Sequence, residues 1–281
     1  YDISDYQDIW EDFGTMADWE ELRDKLHENG IRIMVDLVVN HTSDEHEWFQ
    51  RALRGEEKYR NYYIIEKGRD GKIPNNWGNF FAECPWAPFG DTGKYYLHLF
   101  SKKQPDLNWE NPAVVKEMQA VVDFWVDLGV DGFRVDVIDQ ISKDFNGANC
   151  FGPRLHEFIH AMFGRENTKH LFTVGECWAD NIEEVCRHAK AERDELSTLF
   201  QFDHQDIGRA DKFTYVPTTL SELWKRLLKW ETLMQEQDLL YSLFTDNHDN
   251  SWLLKVGEEY DTVEAVSNAL LASVDGIGEV R

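Results

Sequence analysis

The sequence is poor in cysteine, and its cysteines lack the spacing that binds zinc. Only four occur among 281 residues, as Cys84, Cys150, Cys177 and Cys186, and no two form a Cys-x-x-Cys pair. This usage predicts neither a zinc site nor a disulfide framework. We therefore expect reduced cysteines and a cytoplasmic location.

Basic residues and long apolar runs are scarce as well. The chain carries 29 Lys and Arg against 53 Asp and Glu, a net charge of −24. Such acidity argues against nucleic acid or an anionic membrane as a partner, because both attract positive charge. No apolar run approaches the roughly 20 residues of a membrane span, and the first residues do not form a signal peptide. We expect a partner that is neither nucleic acid nor membrane, and the sequence predicts no oligomeric state.

Apolar runs of strand length alternate with helical patterns along most of the chain. This alternation predicts a parallel sheet with helical crossovers. No Gly-rich phosphate turn follows an early run, so a (β/α)8 TIM barrel is favoured over an open doubly wound sheet. Five strands are too few to close that barrel, so either the chain covers only its central part or this count of strands is short. The predicted strands span residues 31–37, 130–136, 171–176, 198–203 and 240–245.

Residues 43–98 break this alternation. They are rich in charge, aromatic residues, Gly and Pro, with a turn signal at Pro74-Asn75-Asn76-Trp77-Gly78. A structureless loop of this length is uncommon, so we predict a small inserted domain after the third strand of the barrel. The barrel domain would then comprise residues 1–42 and 99–281.

Acidic side chains and histidines follow several of the predicted strands. Arg134 and Asp136 lie two residues apart at the end of one strand, so their side chains should point to the same side. We expect the guanidinium to keep Asp136 ionised, as a nucleophile requires. Glu176 ends the next strand in a less polar setting that favours its protonated form. Two such carboxyl groups roughly 5–5.5 Å apart would hydrolyse a glycosidic bond with retention.

Other residues at the strand ends have less specific roles. Asp249, with His41 and His248, could bind sugar hydroxyls. Asp36 lies inside an apolar run, and we expect a buried structural acid there. A metal-dependent hydrolase is the rival hypothesis, because His and Asp at strand ends also bind metals. The sequence has no His-x-His pair, which is the usual sign of such a site.

Four motifs, in order along the chain, resemble those of the α-amylase family of retaining glycoside hydrolases. They are Asp36-Leu-Val-Val-Asn-His41, Gly132-Phe-Arg-Val-Asp136, Val174-Gly-Glu176 and Thr245-Asp-Asn-His-Asp249, with a fifth region at Gln104-Pro-Asp-Leu-Asn108. The resemblance implies Asp136 as nucleophile, Glu176 as acid/base and Asp249 as transition-state stabiliser. It also implies that residues 43–98 are the family's domain B. The implied contacts to the bound sugar are Asp2, His41, Arg134 and His248.

Within the family, the chain resembles the group of oligo-1,6-glucosidases, dextran glucosidases and sucrose isomerases. Asp2-Ile-Ser-Asp5, Lys103–Asn111 and Asp136-Val137-Ile138 carry this resemblance. Valine after the nucleophile, here Val137, is typical of α-1,6-specific members. Residues that line the pocket in this group match Phe81, Phe100 and Gln104.

The group resemblance implies an exo-acting α-glucosidase for α-1,6 bonds in isomaltose-like oligosaccharides. A sucrose isomerase, an α-1,4-active glucosidase and a catalytically inactive binding subunit remain alternatives. Asn250-Ser251-Trp252 departs from the Gln-Pro-Arg of the hydrolases, and its Asn resembles the isomerases. No cofactor is expected for the reaction. A structural calcium ion stays open, because calcium sites in relatives often precede the residues present here.

Overall fold

The computed structural model describes residues 1–69, 71–145, 152–210, 214, 216, 218–244 and 247–249. It divides into two compact units. The first contains Tyr1–Cys177 and Ala191–Ser197, and the second contains Trp178–Lys190 and the residues from Thr198 onward. In the described part of the chain, we find no helix with the length and apolar character needed to cross a membrane.

The first unit alternates helices and strands, with short 3-10 turns at Glu11–Phe13, Ile138–Gln140 and Ala191–Arg193. Its main elements are α1 (Met16–Glu28), β1 (Met34–Val38), α2 (Glu47–Leu53), α3 (Glu57–Arg60), β2 (Ile65–Lys67), β3 (Trp86–Pro88), β4 (Lys94–Leu97), α4 (Pro112–Asp127), β5 (Gly132–Asp136), α5 (Leu155–Phe163) and β6 (Phe172–Gly175).

Strands β1, β5 and β6 form a parallel sheet with β5 in the middle. Asp36 of β1 pairs with Arg134 of β5, and Val135 of β5 pairs with Gly175 of β6. The sheet is tightly spaced at Gly132, where an added Cβ would lie 2.0 Å from the Phe172 carbonyl oxygen. Only glycine fits at that position, and the register it permits brings the ends of β5 and β6 together.

Helices α4 and α5 supply much of the core beside this sheet. Asn111 caps α4 by accepting a hydrogen bond from the Ala113 amide, and Pro112 occupies the first turn. Phe133 and Val135 are fully buried strand residues. Phe133 packs toward Phe163 of α5 with ring centroids 6.3 Å apart. Burial of these apolar side chains stabilises the sheet that carries the candidate site.

One face of β1 is partly exposed to solvent. Leu37 and Val38 are buried, but Met34 is 40% exposed and the Asp36 side chain is 50% exposed. The prediction that Asp36 is a buried structural acid is therefore wrong. Side chains alternate between the two faces of a strand, and Asp36 lies on the same face as the exposed Met34.

Residues 43–98 contain helices α2 and α3 and a three-stranded antiparallel sheet in the order β2-β4-β3. A hydrophobic cluster forms beside this sheet, built from Ile64, Trp86, Leu97 and Leu99. This segment and its flanking residues belong to the same compact unit. Its predicted boundaries as a separate domain stay a prediction.

The second unit contains α6 (Ile182–Ala189), β7 (Thr198–Leu199) and α7 (Leu220–Glu236), with a 3-10 turn at Asp203–Asp206. The strand predicted over residues 198–203 is cut short because the Gln201 side chain accepts a hydrogen bond from the Asp203 amide and turns the backbone. Among the described residues of the run predicted at 240–245, only a parallel bridge from Ser242 to Phe200 forms. A full strand there was therefore the wrong prediction.

Candidate active site

Arg134 contacts carboxylates from three strand positions. Its Nη1 lies 2.7 Å from Asp136 Oδ1 and 3.1 Å from Asp36 Oδ1. Its Nη2 lies 2.6 Å from Glu176 Oε2. The planar guanidinium presents several N–H donors in a fixed fork, which holds both buried acids in one orientation. Asp136 and Glu176, the predicted nucleophile and acid/base, thus share one guanidinium.

The backbone fixes Glu176 against the end of β5. The Glu176 amide donates to the Val135 carbonyl oxygen at 2.9 Å, and the Ile138 amide donates to the Glu176 carbonyl oxygen at 3.1 Å. The Val137 amide donates to Glu176 Oε2 at 3.3 Å. Backbone bonds to Val135 and Ile138 thus fix the main chain of Glu176. The bond from the Val137 amide restrains its carboxyl group.

Val137 adopts a left-handed backbone conformation, with φ at 34° and ψ at 49°. For a β-branched residue this region is strained, and such outliers cluster at functional sites. The conformation turns the chain sharply after β5 and aims the Val137 amide at Glu176. The strained backbone of Val137 thus helps to orient the buried Glu176 carboxylate.

Asp136 is buried and lies next to a second acid. Burial and the Glu176 carboxylate raise the pKa of Asp136 to about 7, although Arg134 acts to lower it. Arg134 therefore does not by itself set the protonation of Asp136, because burial and Glu176 oppose its effect on the pKa. The guanidinium is divided among several acids, and the close pair retains a proton near neutral pH.

Tyr1 lies beside Arg134, and His41 contacts Tyr1. The Arg134 guanidinium stands over the Tyr1 ring at 5.5 Å, and the Tyr1 hydroxyl donates to Asp36 Oδ2 at 3.3 Å. His41 is almost fully buried, and its Nε2 lies 3.1 Å from the Tyr1 carbonyl oxygen. Burial lowers the pKa of His41 to about 4. At neutral pH the ring is therefore uncharged and can donate one N–H.

Gln104 and Phe100 also contact His41. Gln104 Nε2 lies 3.1 Å from His41 Nε2, and the Phe100 ring centroid lies 5.5 Å from that of His41. Phe81 meets Phe100 edge-on at 6.1 Å and is exposed. Asp2 accepts a hydrogen bond from the Ser43 hydroxyl at 3.2 Å. Two groups predicted to bind sugar, Gln104 and Phe100, therefore lie against His41.

The prediction did not include the buried lysine beside this cluster. Lys143 Nζ lies 3.0 Å from Asp106 Oδ2, and the two side chains are 2% and 0% exposed. The ammonium also donates to Asn40 Oδ1 and to the Gln140 carbonyl oxygen, both at 2.6 Å. Such a group of oxygens resembles a site for a hard cation, and here the ammonium occupies it. Asp106 lies in the quoted Gln104–Asn108 motif, but nothing in the sequence pairs it with Lys143.

Asp249 and His248 belong to the second unit. His248 Nε2 lies 3.2 Å from Asp249 Oδ2, and the Asp249 amide donates to Asn247 Oδ1 at 3.0 Å. Both side chains are about half exposed. Their proposed part in the active site stays a prediction. Asn250-Ser251-Trp252 and the predicted departure from the motif lie outside the described residues.

The chain belongs to the α-amylase family. Residues 1–277 match the family model described as "Alpha amylase, catalytic domain". This membership, together with the parallel sheet and the structural neighbours below, confirms the predicted (β/α)-barrel fold class.

The similar proteins are glucosidases and related enzymes. An oligo-1,6-glucosidase of Parageobacillus thermoglucosidasius is 44% identical over 269 residues, which cover 89% of this chain and 48% of that protein. The crystal structure of Bacillus licheniformis trehalose-6-phosphate hydrolase matches with a TM-score of 0.82 and 40% identity, over 89% of this chain and 48% of that one.

A third similar protein is named as a synthase and not as a hydrolase. Trehalulose synthase from Pseudomonas mesoacidophila matches with a TM-score of 0.79 and 35% identity, over 88% of this chain and 47% of that one. The chain thus spans about half the length of the relatives it matches.

Proposed function

We propose that the protein is a retaining α-glucosidase in which Asp136 is the nucleophile and Glu176 the acid/base. The observation that supports this most strongly is the contact of both buried carboxylates with the Arg134 guanidinium. Binding of both carboxylates to one guanidinium keeps them close together, as the retaining mechanism requires.

The reaction would proceed from the singly protonated pair. With the proton on Glu176, ionised Asp136 attacks the anomeric carbon while Glu176 protonates the departing glycosidic oxygen. A glucosyl ester of Asp136 forms, and Glu176 is left ionised. It then removes a proton from water, which attacks the same carbon and releases glucose and Asp136. Asp249 would stabilise the positively charged transition state.

Binding of the non-reducing glucose would use the groups around His41. Asp2, His41 and Gln104 offer polar contacts to its hydroxyls, and the family resemblance assigns a further contact to His248. Phe81 and Phe100 supply aromatic surface for the apolar face of the ring. We propose α-1,6-linked, isomaltose-like oligosaccharides as substrates. Val137 and the similarity to an oligo-1,6-glucosidase support this choice.

Two activities from the same family are the alternatives. Similarity to a trehalulose synthase and the isomerase-like Asn250 favour isomerisation of sucrose. An α-1,4-active glucosidase would use the same acid pair with a different pocket wall. A catalytically inactive binding subunit is a weaker alternative, because Asp136, Glu176 and Asp249 are all present.

Product analysis on a panel of disaccharides tests these choices. We expect glucose from isomaltose at a higher kcat/KM than from maltose, sucrose or trehalose 6-phosphate, and no turnover by Asp136→Asn. Preference for maltose would replace the α-1,6 assignment. Isomaltulose or trehalulose in excess of free glucose would favour the isomerase.

The proposed reaction uses no cofactor. A structural calcium ion remains an open proposal for the whole protein, and thermal unfolding with and without a chelator measures its contribution. The cytoplasmic location likewise stays a prediction from cysteine usage, and cell fractionation tests it.

A further inference from the structure

Three lysines of the segment 43–98 line one cavity, which we call the lysine pocket. It has a volume of about 390 Å³ and is lined by Lys67, Lys72 and Lys94, together with Gly68 and Tyr95 and further small residues. None of its lining residues is acidic. A cavity of this size lies within the range of small-molecule sites, which is roughly 300–1,000 Å³. The acid pair and the groups around His41 contribute nothing to this lining.

The three ammonium groups of the lysine pocket have no acidic partner among the described residues. Lysines elsewhere do pair with acids, as Lys58 does with Glu117 at 3.5 Å and Lys103 with Glu45 at 3.2 Å. Asp70 lies outside the described residues. The protein carries a net charge of −24, so a group of cations without acids is a local excess of positive charge. Such an excess attracts small anions.

The strand register places two of these cations opposite each other. Lys67 of β2 pairs directly with Lys94 of β4 in the antiparallel sheet. Side chains at paired positions lie on the same face of a sheet, and like charges there are destabilising. Glu66 does not relieve the repulsion, because side chains alternate along a strand and Glu66 points to the other face. An anion bound between the two ammonium groups would remove this repulsion.

A tight turn brings Lys72 to the same cavity. The Arg69 amide donates to the Lys72 carbonyl oxygen at 3.0 Å, and the Lys72 amide donates to the Arg69 carbonyl oxygen at 2.9 Å. An added Cβ at Gly68 would lie 2.4 Å from the Lys72 carbonyl oxygen and 3.0 Å from Tyr95 Cε2. Only glycine permits this close approach. Tyr95 packs in turn against the hydrophobic cluster beside the sheet, so the lining is fixed by backbone bonds and packing before a ligand binds.

We propose that the lysine pocket binds the phosphoryl group of a small molecule, with its oxygens between Lys67, Lys72 and Lys94. Lysine ammonium groups bind phosphate as point charges and need no fixed geometry. The remaining volume admits an organic part of the ligand, to which the Tyr95 ring offers an apolar surface. Nucleic acid also carries phosphate, but the net charge of −24 repels so large a polyanion. The proposal is independent of the glucosidase assignment.

Calorimetric titration with two compounds tests the lysine pocket. Inorganic phosphate and glucose 6-phosphate are each titrated into the unsubstituted protein near neutral pH, with chloride added to keep the ionic strength constant. We expect saturable binding of both. Tighter binding of glucose 6-phosphate would identify a phosphorylated organic compound as the ligand, and equal affinity would identify free phosphate. Absence of saturable binding for both compounds would overturn the proposal.

Two substitutions locate the bound anion. The double variant Lys67→Gln, Lys94→Gln should weaken binding of inorganic phosphate at least about tenfold, because two charged hydrogen-bond donors are lost. Lys94→Glu should abolish phosphate binding and raise the thermal unfolding midpoint measured without phosphate, since the new carboxylate faces Lys67 across the strands. Added phosphate should raise the midpoint of the unsubstituted protein and leave that of Lys94→Glu unchanged.

An exposed lysine on α4 provides the matched control. Lys116 does not line the lysine pocket, so Lys116→Gln should bind both compounds as the unsubstituted protein does. Circular dichroism checks that each variant is folded. Phosphate binding that survives Lys67→Gln, Lys94→Gln, or that falls equally in Lys116→Gln, would overturn the proposal. Since the readout is binding, the result stands whether or not the protein hydrolyses isomaltose.

Discussion

Arg134 and Glu176 lie on or just after neighbouring strands, and Nη2 of the first is 2.6 Å from Oε2 of the second. The same guanidinium holds Asp136 through Nη1 at 2.7 Å. One cation therefore sets the orientation of both acids and moderates their mutual repulsion. The burial of both acids strengthens these charged hydrogen bonds, because water competes with them less.

The pH dependence of activity should reflect the shared proton. Burial and Glu176 raise the pKa of Asp136 to about 7. Below that pH the pair holds the one proton that the mechanism needs, and above it the pair loses that proton. We expect kcat/KM for isomaltose to fall with an apparent pKa near 7 as the pH rises. Glu176→Gln removes the neighbouring charge, so with α-glucosyl fluoride this alkaline decline should disappear. An unchanged alkaline limb in Glu176→Gln would contradict the coupling.

A lysine ammonium should not be able to replace the Arg134 guanidinium. Lysine keeps the positive charge but cannot place two coplanar donors on Asp136 and Glu176. We expect Arg134→Lys to lower kcat/KM for isomaltose by about 100- to 1,000-fold, as the loss of positioned donors does elsewhere. Arg154→Lys is the control, because Arg154 pairs with the exposed acids Glu110 and Glu157. A lysine variant with near-normal kcat/KM would show that orientation by the fork is unimportant.

Lys143 should be essential for stability through its buried pair with Asp106. Lys143→Met leaves the Asp106 carboxylate buried without its cation, which costs about 3–5 kcal/mol of unfolding free energy. The double variant Lys143→Met, Asp106→Leu should recover part of that loss, since no unpaired charge remains. Urea unfolding measures both.

A surface pair offers the comparison for Lys143. Lys103 and Glu45 are 3.2 Å apart with both side chains exposed, so Lys103→Met should leave the urea midpoint almost unchanged. Equal effects of the Lys143 and Lys103 substitutions would contradict a special role for the buried pair.

Val137 should influence linkage preference. Threonine has the same branched shape, so the left-handed turn after β5 can persist while a hydroxyl enters the pocket wall. We expect Val137→Thr to lower the ratio of kcat/KM for isomaltose over maltose by about tenfold. Val115→Thr, at a partly buried valine on α4, should leave that ratio unchanged. A constant ratio in Val137→Thr would remove Val137 from the account of specificity.

The sequence was sufficient to predict the sheet and the meeting of the two acids. The apolar pattern around Phe133 and Val135 marks a buried strand, and parallel strands place their carboxyl ends at one edge. Asp136 and Glu176 are therefore neighbours for reasons that motif spacing contains. The contact of Arg134 with three acids depends on strand register and side-chain conformation. The pKa of Asp136 depends in turn on these contacts.

Other features depend on the course of irregular segments. Lys143 meets Asp106, and Trp77 meets Phe145, only after the connections that carry them have folded. No periodicity links such distant positions. The exposure of Asp36 was missed for a related reason, because an apolar run does not reveal which face of its strand is covered.

The central claim is that Asp136 forms a covalent bond to glucose. Incubation with 5-fluoro-α-D-glucosyl fluoride, followed by proteolysis and mass spectrometry, tests it directly. We expect a stable 5-fluoroglucosyl ester on the peptide that contains Asp136, and none in Asp136→Asn. Active protein that hydrolyses isomaltose without ever carrying the label on Asp136 would contradict the account.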